Sequence, residues 1–346
     1  SNYPLYADIS NRVMNILRSY SPIHQVYSID ECFIDLTGIS KTREISYQIR
    51  ERVIKWTGIP VCIGIGPTKT LAKLANFIAK KHPKSKGVFN YNDLSKIQQQ
   101  KILNCIPVNK VWGVGHRLST QLKESGINTV EDLKTAHIPT LRKKFSVVME
   151  KTQRELQGVT CFNLEDITPN KKQIISSRSF GKSVSNINTL KDAVCTFVSN
   201  ATEKLRSQKS HASVIHVFLK TNRFKVDQPQ HMPSLAIRLP QPTNSSLTIN
   251  RWSNHLLKKI FRPEYSYKKA GIILCEISDI HSQQVDWIES ATSNDSKLMT
   301  TLDRLNQRFG RGTIKISAQG FYKEWKMKQE RKSPSYTTDW NSIPRV

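Results

Sequence analysis

Apolar residues return at helical spacing in residues 8–20, where Ile9, Val13, Ile16 and Leu17 fall on one face of a predicted amphipathic helix. Ile45, Ile49, Val53 and Trp56 repeat that spacing, and residues 71–79 do so a third time. Between the first two helices the period shortens. Two β-prone runs, residues 25–29 and 32–36, flank the dipeptide Asp30-Glu31, and Thr37-Gly38 closes the second run. This predicts a strand, a tight corner and a second strand. Residues 60–65 form an apolar run of the buried-strand type. Helix, hairpin, helix, strand and helix predict an α+β layer with the acidic corner on its sheet.

Further along, Ile106-Pro107-Val108 and Val111-Trp112-Gly113-Val114-Gly115 are followed by Leu118, Leu122, Ile127, Val130 and Leu133. The spacing predicts two short helices joined by Gly-Val-Gly, a helix-hairpin-helix, with a second turn at Gly126-Ile127-Asn128-Thr129. Residues 165–172 read as a linker. Beyond it, residues 173–180, 211–221, 234–239 and 269–277 are predicted strands, and residues 188–207 and 245–261 predicted helices, a separate α+β domain. Residues 283–346 form a third region, with a helix over 296–309, then Gly310-Arg311-Gly312-Thr313 and a mixed basic and aromatic tail.

The 346 residues suffice for two or three domains with their own cores, and 38% hydrophobic with 23% charged residues excludes a disordered chain. No run approaches about 18 apolar residues, and nothing resembles a secretory leader. A membrane-spanning helix is therefore excluded and a cytoplasmic chain expected. Lys and Arg number 53 against 27 Asp and Glu, a net charge of +26. The excess is spread over the chain: 24 basic and 14 acidic residues in 1–166, 29 and 13 in 167–346. A globular protein this positive repels itself unless it works against a polyanion, and nucleic acid is the expected one. The six cysteines stand far apart, without Cys-x-x-Cys or zinc-type spacing, and are expected to be reduced, buried small hydrophobes.

Adjacent strand residues point to opposite faces, so Asp30 and Glu31 can share one site only at a corner. There they are candidate ligands for a hard divalent cation such as Mg²⁺; the competing reading is two solvated turn residues. The run Val61–Gly66 into Pro67-Thr68-Lys69-Thr70 superficially suggests a phosphate loop, but Thr68 stands where the Walker pattern requires Gly, which excludes an NTPase P-loop. Lys69, Lys73 and Lys80 share one helix face, in a basic series continuing through Lys81, Lys84 and Lys86. They form either a solvated face or a stripe for a triphosphate. Gly113-Val114-Gly115 lets backbone N–H groups approach a DNA phosphate without reading sequence. In the second domain, Arg178, Lys182, Lys204, Arg206, Lys220, Arg223 and Lys225 are candidates to line a duplex.

Ser28-Ile29-Asp30-Glu31, Gly64-Ile65-Gly66 with Lys69, Leu71-Ala72-Lys73-Leu74-Ala75-Asn76 and Ala79-Lys80, and the Val111–Gly115 motif resemble the Y-family translesion DNA polymerases. Arg178-Ser179-Phe180-Gly181 and the ending Ser333-Pro334-Ser335-Tyr336-Thr337-Thr338 narrow the resemblance to the family's UmuC branch, over the whole chain. The resemblance implies a multidomain α+β architecture: partial palm over 1–103, helix-hairpin-helix thumb over 104–166, α+β little finger over 167–282 and a C-terminal region over 283–346. It implies a subunit of an error-prone polymerase of SOS DNA repair and mutagenesis, transferring nucleotidyl groups with two Mg²⁺ ions. Asp30 would bind the ions, with Glu31 beside the primer 3′ hydroxyl. Lys80, with Lys73 behind it, would touch the triphosphate. Gly113, Val114 and Gly115 would grip the duplex backbone, joined by Arg178, Ser179 and Lys182 from the little finger. Primer-template DNA and dNTP are the implied ligands. The UmuD′ dimer, the RecA filament and a sliding clamp are implied partners, with no membrane.

Two departures from the family pattern matter. The family carries another metal-binding Asp on an N-terminal strand, then an aromatic steric gate and a fingers domain, and Ser1 matches a point after all three. The expectation is a chain that begins part-way through a gene product, with an incomplete two-metal site; Asp35, on the hairpin's second strand, reads as structural. The family's clamp motif, Gln-Leu-x-Leu-Phe, corresponds to Gln284-Val285-Asp286-Trp287-Ile288, which keeps the Gln and alters the apolar plug. Gln284, Trp287 and Ile288 are the clamp candidates. Two readings stay open: a polymerase, or a catalytically inactive chain that binds DNA and partner proteins. A helix-hairpin-helix nuclease is disfavoured, because the acidic hairpin precedes the hairpin domain in polymerase order.

Overall fold

The computed structural model describes residues 2–164, 170–280, 293–320, 324–327 and 329–343. Two units divide the chain: Ser1–Thr168 with Arg331–Val346, and Pro169–Glu330.

In the first unit, α1 (Tyr3–Arg18) starts at Asn2, whose side-chain oxygen accepts from the Leu5 N–H at 3.4 Å. The antiparallel hairpin follows as β1 (His24–Val26) and β2 (Cys32–Ile34), Val26 opposite Cys32. Helix α2 (Thr42–Thr57) stops at Gly58, which takes the left-handed conformation (φ +70°) that a side chain would strain. Ile16 of α1 and Ile49 and Val53 of α2 are buried, with Ile34 and Ile63 packed against them. Strand β3 (Ile63–Ile65) pairs in parallel with β4 (Val88–Asn90), through the crossover helix α3 (Lys69–Lys81). The run 87–90 offers too few β-prone residues to stand out in the sequence. The single sheet expected from the pattern is instead two: β1–β2 and β3–β4 do not pair among the described residues, and β2 and β3 line one cleft. With strands of only three residues, packing against the helices governs their placement more than ladder hydrogen bonds do.

Helix α4 (Lys96–Cys105) opens with a Ser95–Gln98 capping box. The helix expected before Gly113 is only a 3₁₀ turn, Val108–Lys110, since Pro107 and Gly113 leave too few residues between them for an α-helix. Then come α5 (His116–Glu124), α6 (Val130–Thr135), α7 (Ile138–Lys144) and α8 (Val147–Leu156). The Val108 N–H donates to the Asn128 carbonyl and the Val130 N–H to that of Ile106, both at 2.9 Å, pinning the motif's two turns together. One core runs from Leu71, Leu74 and Ile78 of α3 through Leu103, Leu122 and Leu133 to Leu156.

The second unit holds β5 (Ile174–Val184), α9 (Ile187–Ser207), β6 (Ser210–Thr221), β7 (Ser234–Thr243), α10 (Ser246–Ile260) and β8 (Tyr267–Asp279), all near their expected bounds. The sheet is antiparallel in the order β5-β8-β6-β7, and α9 and α10 bury Leu190, Phe197, Ile249 and Leu257 against Ile215, Val217, Ile272 and Leu274. Helix α11 (Ser293–Phe309) belongs to this unit, whereas residues 331–346 belong to the first. All six cysteines are free; Cys195 is buried, Cys105 is exposed at the end of α4, and the others are half-buried, so expected burial holds for Cys195 alone. Among the described residues no helix is long and apolar enough to cross a membrane.

Candidate functional site

The acidic corner is closed by its own backbone: the Tyr27 and Ser28 N–H groups donate to the Glu31 carbonyl at 3.4 and 3.3 Å. This turn separates the two carboxylates chemically. Asp30 is exposed and accepts from the Ser28 hydroxyl at 2.6 Å. Glu31 is half-buried and accepts from the Tyr27 hydroxyl at 2.7 Å on one oxygen and from Lys73 Nζ on the other. Burial works to raise the Glu31 carboxyl, but the hydrogen bonds from Lys73 and Tyr27 outweigh it and hold it below the ordinary carboxylate range. Burial first, then the bond to Glu31, pushes the Tyr27 hydroxyl far up, so it stays a protonated donor. Burial likewise raises the Cys32 thiol to about 11, which leaves it unreactive. Asp35 accepts from the Thr37 N–H (2.8 Å) and hydroxyl (2.6 Å) and so serves its own turn.

Helix α3 turns two faces to two tasks. Leu71, Leu74, Ala75 and Ile78 enter the core, and Lys69, Lys73 and Lys80 line the cleft, of about 1480 Å³, that also receives Asp30 and Glu31. Its N-terminus is set by Glu155, a fully buried carboxylate. One oxygen accepts from the Thr70 N–H and hydroxyl, both at 2.9 Å; the other accepts from the Cys161 and Phe162 N–H groups at 3.0 and 3.1 Å. An anion at a helix start is favoured by the helix dipole. An aromatic cluster covers the corner: Tyr27 stacks on Phe33 at 4.8 Å, Trp112 touches both at 5.7 and 5.5 Å, and Phe162 lies 6.4 Å beyond. Lys69 and Lys73 sit 5.5 Å from the Phe33 and Tyr27 ring centres. Neither Glu155 nor the cluster was legible, although Trp112 and Tyr27 both stand inside motifs singled out for other reasons. Gly113 takes φ +88° and Gly115 caps α5, and a Cβ on either would meet nothing within 4 Å, so this end of α5 is open.

In the second unit, strand register sorts the basic candidates. Lys220 of β6 stands directly across from Lys269 of β8, which stands across from Ser179 of β5. Like charges opposite one another are destabilising unless an anion lies over them. Lys269 was not among the sequence candidates, because only the register brings it beside Lys220. Arg178 and Lys182 are exposed on β5. Arg206 is withdrawn from any duplex: it is 10% exposed and paired with Asp303. Lys204 lies on α9, a helix packed on the sheet. The clamp candidates Gln284, Trp287 and Ile288 lie outside the described residues.

The impB/mucB/samB family profile matches residues 1–76, the profile for that family's C-terminal domain residues 171–287, and a domain of unknown function residues 296–346. Protein UmuC of Salmonella typhimurium is 41% identical over all of this chain and 83% of its own length. Protein ImpB of the same species is 40% identical over 99% of this chain and 82% of its own length. Among solved structures, a Y-family DNA polymerase chimera superposes with a TM-score of 0.61 at 20% identity, covering 81% of this chain and 78% of that one, a likeness of fold.

Proposed function

The chain belongs to the impB/mucB/samB family of error-prone translesion DNA polymerase subunits of SOS mutagenesis, and on that footing we propose that its first unit carries the nucleotidyl-transfer site. The observation that supports this is the shared cleft, lined by Asp30, Glu31, Lys69, Lys73 and Lys80. Two Mg²⁺ ions, when bound, supply a lowered pKa for the primer 3′ hydroxyl and balance the charge of the triphosphate. The donor set fits a hard cation at Asp30, whose exposed oxygens meet only a hydroxyl among the described residues. Glu31 fits one once Lys73 withdraws, because the ammonium now sits where a cation would.

Lys73 and Lys80 are the proposed triphosphate ligands. In this reading Lys73 exchanges Glu31 for the incoming phosphates, so nucleotide arrival frees the carboxylate. The open start of α5 at Gly113, Val114 and Gly115 would hold backbone phosphates, as would Lys220, Lys269, Arg178, Ser179 and Lys182 on the second unit. The UmuD′ dimer, the RecA filament and a sliding clamp are partners proposed from the family alone.

A second reading rests on Glu31, whose two oxygens are engaged by Lys73 and Tyr27: a chain that binds DNA and partners without catalysis. Primer extension separates the two. The chain is incubated with primed template, Mg²⁺, four dNTPs, UmuD′ and activated RecA, beside Asp30→Ala. Extension that vanishes in the variant establishes transfer at this corner. No extension by the parent chain, with duplex binding intact, favours the second reading.

A further inference from the structure

Residues 296–346 match a domain of unknown function, and the structure assigns that stretch anchors in both units. In the second unit, Arg206 and Asp303 form a two-bond pair at 2.6 and 2.8 Å, with side chains only 10% and 17% exposed. Ser245 donates to Asp295 at 2.7 Å, and Arg311 to Glu203 at 2.9 Å. Trp325 is 5% exposed, its ring edge-on to Phe197 at 5.3 Å and Phe180 at 6.1 Å. The Gly181 N–H donates to the Trp325 carbonyl at 3.1 Å, and a Cβ on Gly181 would lie 2.8 Å from the Lys326 carbonyl. Trp325 is thus one of the buried residues of this unit's core.

In the first unit the anchor is Asn2, fully buried. Its Nδ2 donates to the carbonyls of Ser333 (2.9 Å) and Pro334 (3.1 Å) and to the Ser335 hydroxyl (3.4 Å), while its oxygen caps α1. Just past this anchor, Tyr336 and Thr337 join the wall of the cleft that holds Asp30 and Glu31. From Trp325 to Ser333 is eight residues, which fully extended reach at most about 28 Å.

We propose that this segment is a second covalent tether between the two units. The chain crosses between them once near residues 168–169 and again near 330–331. Units joined at one point can separate and swing as far as that linker allows. Joined at two anchored points, they form a closed loop in which each crossing restricts the swing that the other alone would allow. The tether thereby raises the effective concentration of the basic sheet face for a duplex held at the cleft. The proposal does not depend on whether the cleft catalyses.

The test keeps the full chain and both anchors. About 20 Gly/Ser residues, adding roughly 25 Å of mean reach, are inserted between the exposed Arg331 and Lys332. Spin labels at the exposed positions 123 and 258 report the distance between units by pulsed EPR, without DNA. Asn2→Asp, which keeps the capping oxygen and removes the donating amide, is measured beside it. Both changes are expected to broaden and lengthen the distribution and to weaken duplex binding several-fold, at an unchanged urea midpoint for the insertion. An unchanged distribution in either variant overturns the proposal.

Discussion

At Glu31, burial and hydrogen bonding act in opposite directions on one carboxyl, and the bonds from Lys73 and Tyr27 win. A carboxyl held below its ordinary value contributes stability that is present above about pH 4.5 and lost as the pH falls towards its lowered value. Lys73→Met removes the main opposing bond and leaves burial less opposed. The urea midpoint of the variant should therefore fall below the parent's at pH 7, with the gap closing as the pH falls below about 4.5. A gap that is constant with pH would mean that Lys73 supports the fold by packing alone. The pairing itself was invisible in the sequence, where Lys73 reads as a triphosphate ligand and Glu31 as a free one. The two residues stand 42 positions apart, and only the packing of α3 beside the hairpin makes them partners.

Among the elements, the joint between β3 and α3 depends on the absence of a side chain. A Cβ on Gly64 would lie 2.0 Å from the Asn76 nitrogen and 2.4 Å from the Ala72 carbonyl, backbone atoms that cannot swing aside. Gly64→Ala is expected to cost about 3 kcal/mol or more by urea denaturation, at the upper end of overpacking penalties. Gly115→Ala is its contrast: the φ there is −78° and nothing lies within 4 Å, so stability should hold. The added methyl group would nonetheless obstruct the open start of α5. Duplex affinity by fluorescence anisotropy should fall several-fold; an unchanged affinity would remove this turn from the DNA interface. The glycines of both motifs stood out in the sequence, but which one is packed and which one is open did not.

For the whole molecule, the charge of +26 is the dominant feature, and the sheet of the second unit shows where part of it is concentrated. The Lys220–Lys269 cross-strand pair repels itself in the absence of an anion. Replacing both with Ala should leave stability level or slightly higher. It should also reduce the slope of log affinity for duplex against log salt by about two, one for each phosphate that is no longer neutralised. A slope that does not change would place the pair outside the DNA footprint. Arg206 shows why charge alone misleads: it belongs to the same basic excess, yet its guanidinium is committed to Asp303, 97 residues away.

The sequence by itself determined the amphipathic helices, the acidic hairpin, the four strands and two helices of the second unit, and the family. Periodicity, turn residues and contiguous motifs are local, and they survive in one dimension. The tertiary structure alone decided that the first unit holds two small sheets rather than one, and that Glu31 is engaged while Asp30 is open. It also decided that Glu155 is a buried anchor for α3 and that the C-terminal region is shared between units through Asn2, 331 residues from Ser333. Each of these is a question of which groups lose water together and which donor meets which acceptor. Long-range packing answers it, and the pattern along the chain does not encode that answer.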